Sequence, residues 1–272
     1  MSNLPLSGER VIEASYRDDP GRYAIYLLHV ASYRFAEAYA KGKRVLDLGC
    51  GSGYGAAMMA EVATSVVAVD ISEDAIRFAS EQHAKPNLVH RVIRPDVPLP
   101  FEDGAFDTVL SFQVIEHVRD DVGYLAEARR VLRPGGALIV ITPNRAVRLL
   151  PSQRPWNRWH LREYNAAGLA RLFPTGGCTL DMRFMRAEGE IARVELARYR
   201  KLKWLTLPAT LPVIPNVVRV SALNAMHAVS AAKPVAAKST VEGGFGMDVD
   251  TISIGHDECD ALNLVAIAHA LL

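Results

Sequence analysis

A glycine-rich run preceded by an acidic residue is the part of the sequence with the clearest chemistry. Residues 45–55 read Val-Leu-Asp-Leu-Gly-Cys-Gly-Ser-Gly-Tyr-Gly, so that Asp47 stands just before three alternating glycines, Gly49, Gly51 and Gly53. Glycine permits backbone conformations that side chains forbid, and it lets a ligand lie against the main chain. A helix that starts after the turn would also direct its unpaired amide groups at the ligand. The run therefore predicts a site for a nucleotide-like cofactor.

A second acidic residue, Asp70, follows at the end of the next apolar run. A carboxylate in that position can accept hydrogen bonds from both hydroxyls of a ribose, and its charge repels a ribose phosphate. A glycine-rich turn with such an acid downstream fits nicotinamide dinucleotides and adenosylmethionine equally well. The two motifs alone leave the identity of the cofactor open.

Short β-branched runs alternate with helical stretches around these motifs. The pattern predicts seven strands, at 44–48, 65–69, 88–93, 106–111, 137–141, 179–185 and 262–268. It predicts helices at 54–62, 73–82, 120–132 and 165–173. Alternation of this kind indicates a doubly wound, mostly parallel α/β sheet, because parallel strands need crossover helices. Ligands of such sheets bind beyond the carboxyl ends of the strands.

Three segments are predicted from the same pattern. Residues 1–42 form an N-terminal helical cap, and residues 43–187 plus 256–272 form the cofactor-binding α/β domain. Residues 188–255 form a helical insertion before the last strand, and its prolines break it into short pieces. We expect this insertion to roof an acceptor pocket, to form a homodimer contact, to touch a lipid-like substrate, or simply to pack as a small satellite core.

Charge and cysteine content restrict the partners and the compartment. Lys and Arg total 31 against 30 Asp and Glu, so nucleic acid is not expected as a partner, since phosphate neutralisation needs a basic surface. Three widely spaced cysteines without a CxxC pair indicate neither a disulfide framework nor a zinc site, which favours the cytoplasm. No apolar run is long enough to predict a membrane span.

Further motifs decide between the two cofactors. They are Ala68-Val69-Asp70-Ile71-Ser72, the segments 94–103 and 106–109, Ser111-Phe112-Gln113-Val114-Ile115-Glu116-His117-Val118, and Leu132-Arg133-Pro134-Gly135-Gly136. Together with Asp47 before the first glycine, they make residues 43–173 resemble class I S-adenosylmethionine-dependent methyltransferases, in the subgroup of ubiquinone-pathway and small-molecule or sugar methyltransferases. The resemblance implies the Rossmann-like methyltransferase fold and S-adenosyl-L-methionine as cofactor.

The resemblance also assigns the cofactor site. Asp47 and the three glycines hold the methionine portion, with Cys50 packed beside it; Asp70 binds the ribose, Ile71 packs on the adenine, and Asp96 with Val97 recognises the adenine edge. The end of the fourth strand, at Ser111, Phe112 and Gln113, converges on the same place. Tyr16, before the N-terminal helix, is a candidate for the cofactor carboxylate. Pro95 departs from the glycine common in the family and removes a backbone donor.

Two histidines are candidate general bases. His160 lies in a segment, Asn157-x-x-His-x-x-Glu-Tyr, similar to one on the substrate side of sugar- and quinone-type relatives, and His117 follows the fourth strand. The alternatives are that His160 only fixes its loop, with Glu163, and that His117 only caps or packs. A base is optional, because alignment of the reacting atoms supplies much of the rate. No spacing of acids and histidines predicts a required metal.

These residues favour an enzyme that methylates a small molecule, most readily at a hydroxyl of a sugar or secondary metabolite. N-methylation of a small molecule is the nearest alternative. A non-catalytic regulatory or scaffold protein that keeps the cofactor pocket is a third possibility, and Asp47 argues against a dehydrogenase.

Overall fold

One sheet of eight strands organises the computed structural model, which describes residues 19–95, 97–173, 178–231 and 244–271. The strands are β1 Arg44–Leu48, β2 Ser65–Asp70, β3 Leu88–Val92, β4 Phe106–Phe112, β5 Leu132–Pro143, β6 Cys178–Ala187, β7 Ile252–Gly255 and β8 Asn263–Ala270. Their order across the sheet is β3-β2-β1-β4-β5-β8-β6-β7. The chain thus runs outward from β1 in one direction and then crosses back to continue from β4 in the other.

Strand directions confirm the predicted doubly wound, mostly parallel α/β fold. The pairs β1–β2, β2–β3, β1–β4 and β4–β5 are parallel, whereas β8 runs antiparallel to both β5 and β6. The strand count differs from the prediction by one. The additional strand is β7, which pairs antiparallel with β6 at the edge of the sheet and comes from the end of the predicted insertion.

Nine α-helices of the described residues cover the sheet and continue beyond it. They are α1 Pro20–Ala40, α2 Tyr54–Val62, α3 Glu73–Gln82, α4 Asp121–Arg130, α5 Arg145–Arg148, α6 Ala166–Ala170, α7 Gly189–Leu205, α8 Leu207–Thr210 and α9 Asn216–Ala231. Side-chain caps explain several starting points: Asp19, Ser72, Asp120 and Asn165 each accept a hydrogen bond from the first turn of the helix that follows. The helix predicted over 120–132 ends at Arg130, because Leu132 already pairs with Phe106 in the sheet.

The core lies on both faces of the central strands. Leu46, Val109 and Ile139 are fully buried, as expected for a parallel sheet covered by helices on both sides. Helix α1 closes one face, where Ala24 and Leu27 pack with Ile191 of α7. This contact joins the N-terminal helix to the start of the predicted insertion.

Helices α7 to α9 are fixed to the loop that follows α5. The Gln153 amide donates to the Lys203 carbonyl at 2.9 Å and to the Thr210 hydroxyl at 2.8 Å. Arg219 is buried and donates to the Pro155 carbonyl at 2.7 Å. The insertion therefore forms a wall over the carboxyl ends of the strands, while the domain boundaries that we derive from the sequence remain a prediction.

The outer surface of the insertion carries exposed apolar side chains, including Trp204, Val213 and Val217. A homodimer through this face remains a prediction. Among the helices of the described residues, none combines the length and apolarity that crossing a bilayer requires.

Substitution of Gly55 should show how tightly α1 packs over the glycine turn. A Cβ atom there would lie 2.0 Å from the ring of Tyr33, so we expect Gly55→Ala to lower the free energy of unfolding by about 2 to 3 kcal/mol. Urea denaturation measures this change. Gly189→Ala, where nothing lies within 4 Å of the added atom, is the matched control and should cost about 1 kcal/mol for its positive φ. Equal losses in the two variants would contradict the packing argument.

Candidate active site

In the glycine turn between β1 and α2, one of the three alternating glycines faces open space. All three alternating glycines have positive φ, at 93° for Gly49, 55° for Gly51 and 83° for Gly53. A Cβ on Gly49 would lie 2.4 Å from the Val114 side chain, and one on Gly53 would lie 2.5 Å from the Ala79 side chain. At Gly51, nothing lies within 4 Å. The outer glycines are therefore required by packing, and Gly51 is where a ligand can approach the main chain.

Asp70 ties this turn to the end of β2. One of its carboxylate oxygens accepts the Gly51 amide at 3.0 Å, and the other accepts the Ser72 amide at 2.9 Å. Each oxygen has a second lone pair, so the carboxylate can still accept hydrogen bonds from two ribose hydroxyls. Ile71 and Val97 are 62% and 52% exposed, and Ile71 directly follows the acid. An exposed apolar side chain directly after the acid fits the flat aromatic face of a base, as an adenine requires.

Asp47 lies beneath the turn and is only 1% exposed. The Tyr33 hydroxyl of α1 donates to its carboxylate at 3.1 Å, and the Tyr33 ring packs on Phe112 with 5.0 Å between ring centroids. Burial raises the pKa of Asp47 to about 7; the Tyr33 hydrogen bond opposes this effect and the negative charge of Asp70 adds to it. Helix α1 thus holds the acidic residue of the motif in place.

The predicted residues at the end of β4 divide between the core and the cavity. Successive side chains of a strand point to opposite faces of the sheet. The Ser111 hydroxyl lies 2.7 Å from the Tyr124 hydroxyl, and the Phe112 ring packs on Tyr33. Ser111 and Phe112 are both buried. Gln113, with a φ of 57°, lines the cavity that lies beyond the strands.

The remaining predicted cofactor residues are Cys50, Tyr16 and Asp96. Cys50 is buried, and burial raises the pKa of its thiol well above the ordinary value, as expected for a packing residue. Tyr16 and Asp96 lie outside the described residues.

A cavity of about 1040 Å³ lies between the strand ends and the insertion. Gln113, Glu116 and His117 line it from the turn after β4, Trp156 to His160 line it from the following loop, and Tyr199, Leu202 and Leu223 line it from the insertion. The loop is anchored to the turn, because the Leu161 amide donates to the Glu116 carbonyl at 2.9 Å. That bond brings His160 beside Glu116 and His117.

His160 is oriented by a buried ion pair. Its Nδ1 lies 2.8 Å from Oε1 of Glu163, and the guanidinium of Arg148 donates to both oxygens of that carboxylate, at 2.9 and 3.2 Å. Burial opposes ionisation of Glu163, but Arg148 and His160 outweigh it and hold the pKa of Glu163 at about 2. An ionised carboxylate only accepts hydrogen bonds, so Nδ1 of His160 is the donor and its ring lone pair is on Nε2. Burial lowers the pKa of His160 to about 4.

Glu116 is fully buried and has two unequal oxygens. Oε2 accepts a hydrogen bond from the Thr142 hydroxyl at 2.9 Å, whereas Oε1 has no hydrogen-bond partner among the described residues. Burial raises the pKa of Glu116 to about 7. The sequence does not single out Glu116, which stands there only as part of a longer motif, because no sequence signal separates a buried carboxylate with one unpaired oxygen from an exposed carboxylate.

His117 completes a group of three. Its Nδ1 lies 3.2 Å from the Trp159 carbonyl, and its ring meets the ring of His160 edge-on, with 4.8 Å between centroids. Potential ligand atoms of Glu116, His117 and His160 lie within 4.8 Å of one another. The expectation that no metal is required rests on spacing along the chain, which hides this group because the two histidines lie on separate segments.

The reversal of strand order at β1, with a glycine turn and a ribose-type acid beside it, defines an α/β protein that binds an adenosine-containing cofactor. Residues 46–140 match the family model of a methyltransferase domain. A probable S-adenosylmethionine-dependent methyltransferase of Mycolicibacterium smegmatis is 39% identical over 180 residues, 66% of this chain and 67% of that protein. A probable S-adenosylmethionine-dependent methyltransferase of Mycobacterium tuberculosis is 32% identical over 267 residues, 97% of this chain and 89% of that protein.

The chain therefore belongs to the S-adenosylmethionine-dependent methyltransferases, and S-adenosylmethionine is its cofactor. A ubiquinone biosynthesis O-methyltransferase of a Caulobacter species is 38% identical over 112 residues, 40% of this chain and 44% of that protein. The crystal structure of an S-adenosylmethionine-dependent methyltransferase of Thermotoga maritima shares the fold, with a TM-score of 0.55 at 14% identity over 95% of this chain and all of that one.

Replacement of Asp47 should change how stability depends on pH. The pKa of about 7 in the folded protein lies above the ordinary value of 3.8, so folding disfavours the ionised form and stability is lost as the pH rises from about 4 to about 7. We expect Asp47→Asn to remove that loss while its amide oxygen keeps the Tyr33 hydrogen bond. Between pH 5 and pH 7, urea denaturation should show the variant gaining about 2 to 3 kcal/mol relative to wild type. A difference between the two proteins that is the same at both pH values would contradict the assignment.

Proposed function

We propose that the chain transfers the methyl group of S-adenosylmethionine to a hydroxyl oxygen of a small molecule held in the cavity. The observation that carries this proposal is the convergence of three proton-accepting side chains, Glu116, His117 and His160, on the cavity beyond the end of β4. A hydroxyl is a weak nucleophile until its proton is removed or shared, so it benefits most from acceptors at that position.

The choice of oxygen over nitrogen rests on the same group. A neutral amine already offers a lone pair and needs no group to accept a proton before methyl transfer. The three side chains would therefore contribute less to the methylation of an amine. The name of the Caulobacter relative, a ubiquinone biosynthesis O-methyltransferase, also supports O-methylation. N-methylation remains the alternative acceptor chemistry.

The acceptor molecule would lie between the insertion and the loop after α5. Trp156 has one face against the guanidinium of Arg148, 4.2 Å from the ring centroid, so it serves the ion pair beneath His160. Trp159 is 49% exposed at the cavity and offers its indole to a flat or sugar-like surface. We infer that Trp159 contacts the acceptor and that Trp156 supports the loop.

His160 contributes through a fixed orientation more than through basicity. Burial lowers the pKa of His160 to about 4, because the Glu163 carboxylate, which is paired with Arg148, compensates only part of the cost of burying a charged imidazole. A base of that strength removes a hydroxyl proton inefficiently on its own near pH 7. We therefore assign His160 to binding and polarising the acceptor hydroxyl together with Glu116 and His117.

Incubation with labelled S-adenosylmethionine should identify the class of acceptor. We expect label from the methyl group to enter the small polar molecules of a host extract, and not its lipids or macromolecules. Asp70→Ala, which removes the ribose-binding carboxylate, should abolish the labelling. An absence of transfer in every fraction, despite calorimetric binding of S-adenosylhomocysteine, would instead favour the non-catalytic cofactor-binding protein.

Once an acceptor is identified, His160→Ala should lower kcat by about 100-fold, the lower end of the range for general acid–base groups, because the acceptor hydroxyl loses a group that orients and polarises it. Binding of S-adenosylhomocysteine should stay within a factor of three of wild type, because His160 lies on the acceptor side. His256→Ala, at an exposed position beyond β7, is the control and should retain full turnover. Turnover within a factor of three of wild type in His160→Ala would remove this residue from the mechanism.

A further inference from the structure

The group formed by Glu116, His117 and His160 has the composition of a metal site. It joins one carboxylate to two imidazoles, with potential ligand atoms within 4.8 Å of one another. Two histidines and a glutamate form the ligand set of several catalytic zinc sites, which keep a further position open for water or substrate. Ligands of Zn²⁺ lie about 2.0 to 2.2 Å from the ion, so a modest closing of the three side chains would complete the site.

An unsatisfied oxygen supports the same conclusion independently. Glu116 is fully buried, and Thr142 satisfies only its Oε2. Oε1 has no hydrogen-bond partner among the described residues, although buried polar atoms are nearly always paired. Burying a carboxylate is costly, and a bound divalent ion would supply the missing partner of Oε1 and compensate the charge of Glu116.

Both imidazoles are held as metal-binding histidines usually are. Nδ1 of His160 faces the Glu163 carboxylate at 2.8 Å, and Nδ1 of His117 faces the Trp159 carbonyl at 3.2 Å. Neither oxygen can donate a hydrogen bond, so each ring donates from Nδ1, and Nε2 is the nitrogen that would bind a metal ion. Outer partners of this kind fix the tautomer and the orientation of ligating histidines. Arg148 pairs with Glu163, so that carboxylate is engaged behind His160 and is not part of the group.

We propose that Glu116, His117 and His160 bind one divalent transition-metal ion, of the Zn²⁺ type, at the acceptor end of the cavity. The site itself does not depend on the acceptor, but its catalytic role rests on the O-methylation proposed above. There the ion lowers the pKa of the acceptor hydroxyl, as bound Zn²⁺ does for water. The O–H bond breaks and its proton passes to water. The new O–C bond forms as the methyl–sulfur bond breaks, and the electron pair of that bond returns to sulfur.

A side chain that acts as a ligand must be neutral and correctly oriented, and it has no proton to carry. The Glu163 carboxylate, fixed by Arg148, holds the His160 ring in one orientation, as a ligand requires.

The test uses the full chain freed of metal by a chelator and titrated with Zn²⁺ alone. We expect calorimetry to give one site per chain with a micromolar or lower Kd. Glu116→Gln and His160→Gln should each weaken binding by about 100-fold or more, while His256→Gln, at an exposed histidine, should bind as wild type does. Failure of the wild-type chain to bind Zn²⁺, or binding unaffected by both substitutions, would overturn the site.

A spectroscopic measurement distinguishes the loss of a metal ligand from the loss of folding in a variant. Co²⁺ added to the metal-free wild-type chain should give visible absorption bands that Zn²⁺ displaces, and His117→Gln, a less buried position, should change those bands without loss of secondary structure. Identical bands in wild type and His117→Gln would contradict the assignment of this ligand.

Methyl transfer then separates the two proposals. Chelation should abolish transfer, and Zn²⁺ should restore it, while binding of S-adenosylhomocysteine stays unchanged. Transfer to a hydroxyl that survives chelation would overturn the catalytic role of the ion and leave O-methylation standing. Stoichiometric Zn²⁺ binding in a chain that methylates only amines would support the site and refute the O-methylation.

Discussion

The reversal of strand order at β1 is the constraint on which the rest of this molecule depends. Because β2 lies on one side of β1 and β4 on the other, the loops after β1 and β4 leave the sheet in different directions and open a crevice at the strand ends. The glycine turn follows β1, Asp70 ends β2, and the turn with Glu116 and His117 follows β4. The strand order therefore places the candidate cofactor-binding residues next to the residues proposed to bind the acceptor.

Three buried carboxylates around this crevice show how local partners decide the chemistry of one residue type. Burial raises the pKa of Asp47 and of Glu116 to about 7, since a tyrosine or threonine hydroxyl offsets only part of the cost of burying the charge. Glu163 is equally buried, yet a bidentate Arg148 holds its pKa at about 2. Arg148 thus neutralises the charge behind His160, whereas at Glu116 the charge of His117 and the Thr142 hydroxyl offset the effect of burial only in part.

The sequence predicted the strands that carry the cofactor site nearly residue for residue. Their buried apolar runs, the glycines and the helix caps are all local signals. The strand β7 escaped prediction because it is four residues long and lies at the edge, where little burial is needed to stabilise it. The alternation of side chains along β4 predicts which face of the sheet Ser111 occupies. The partner of its hydroxyl, Tyr124, depends on how α4 packs against that face.

The acceptor side could not be predicted to the same depth, for a physical reason. The chemistry of Glu116 depends on its complete burial and on an oxygen left without a partner, and both follow from how the loop of His160 packs against the turn after β4. Glu116 and His160 lie on separate segments of the chain, so neither segment indicates by its sequence that the two residues lie together.

The insertion adds a second reason. Its helices supply Tyr199, Leu202 and Leu223 to the far wall of the cavity. Two hydrogen bonds, from Gln153 to Lys203 and from Arg219 to Pro155, attach these helices to the loop after α5. The candidate cofactor residues therefore lie on elements of the fold, whereas the cavity proposed to hold the acceptor is bounded in part by a segment that the fold does not require. Relatives that share the glycine turn can consequently differ in acceptor without any change in the sheet.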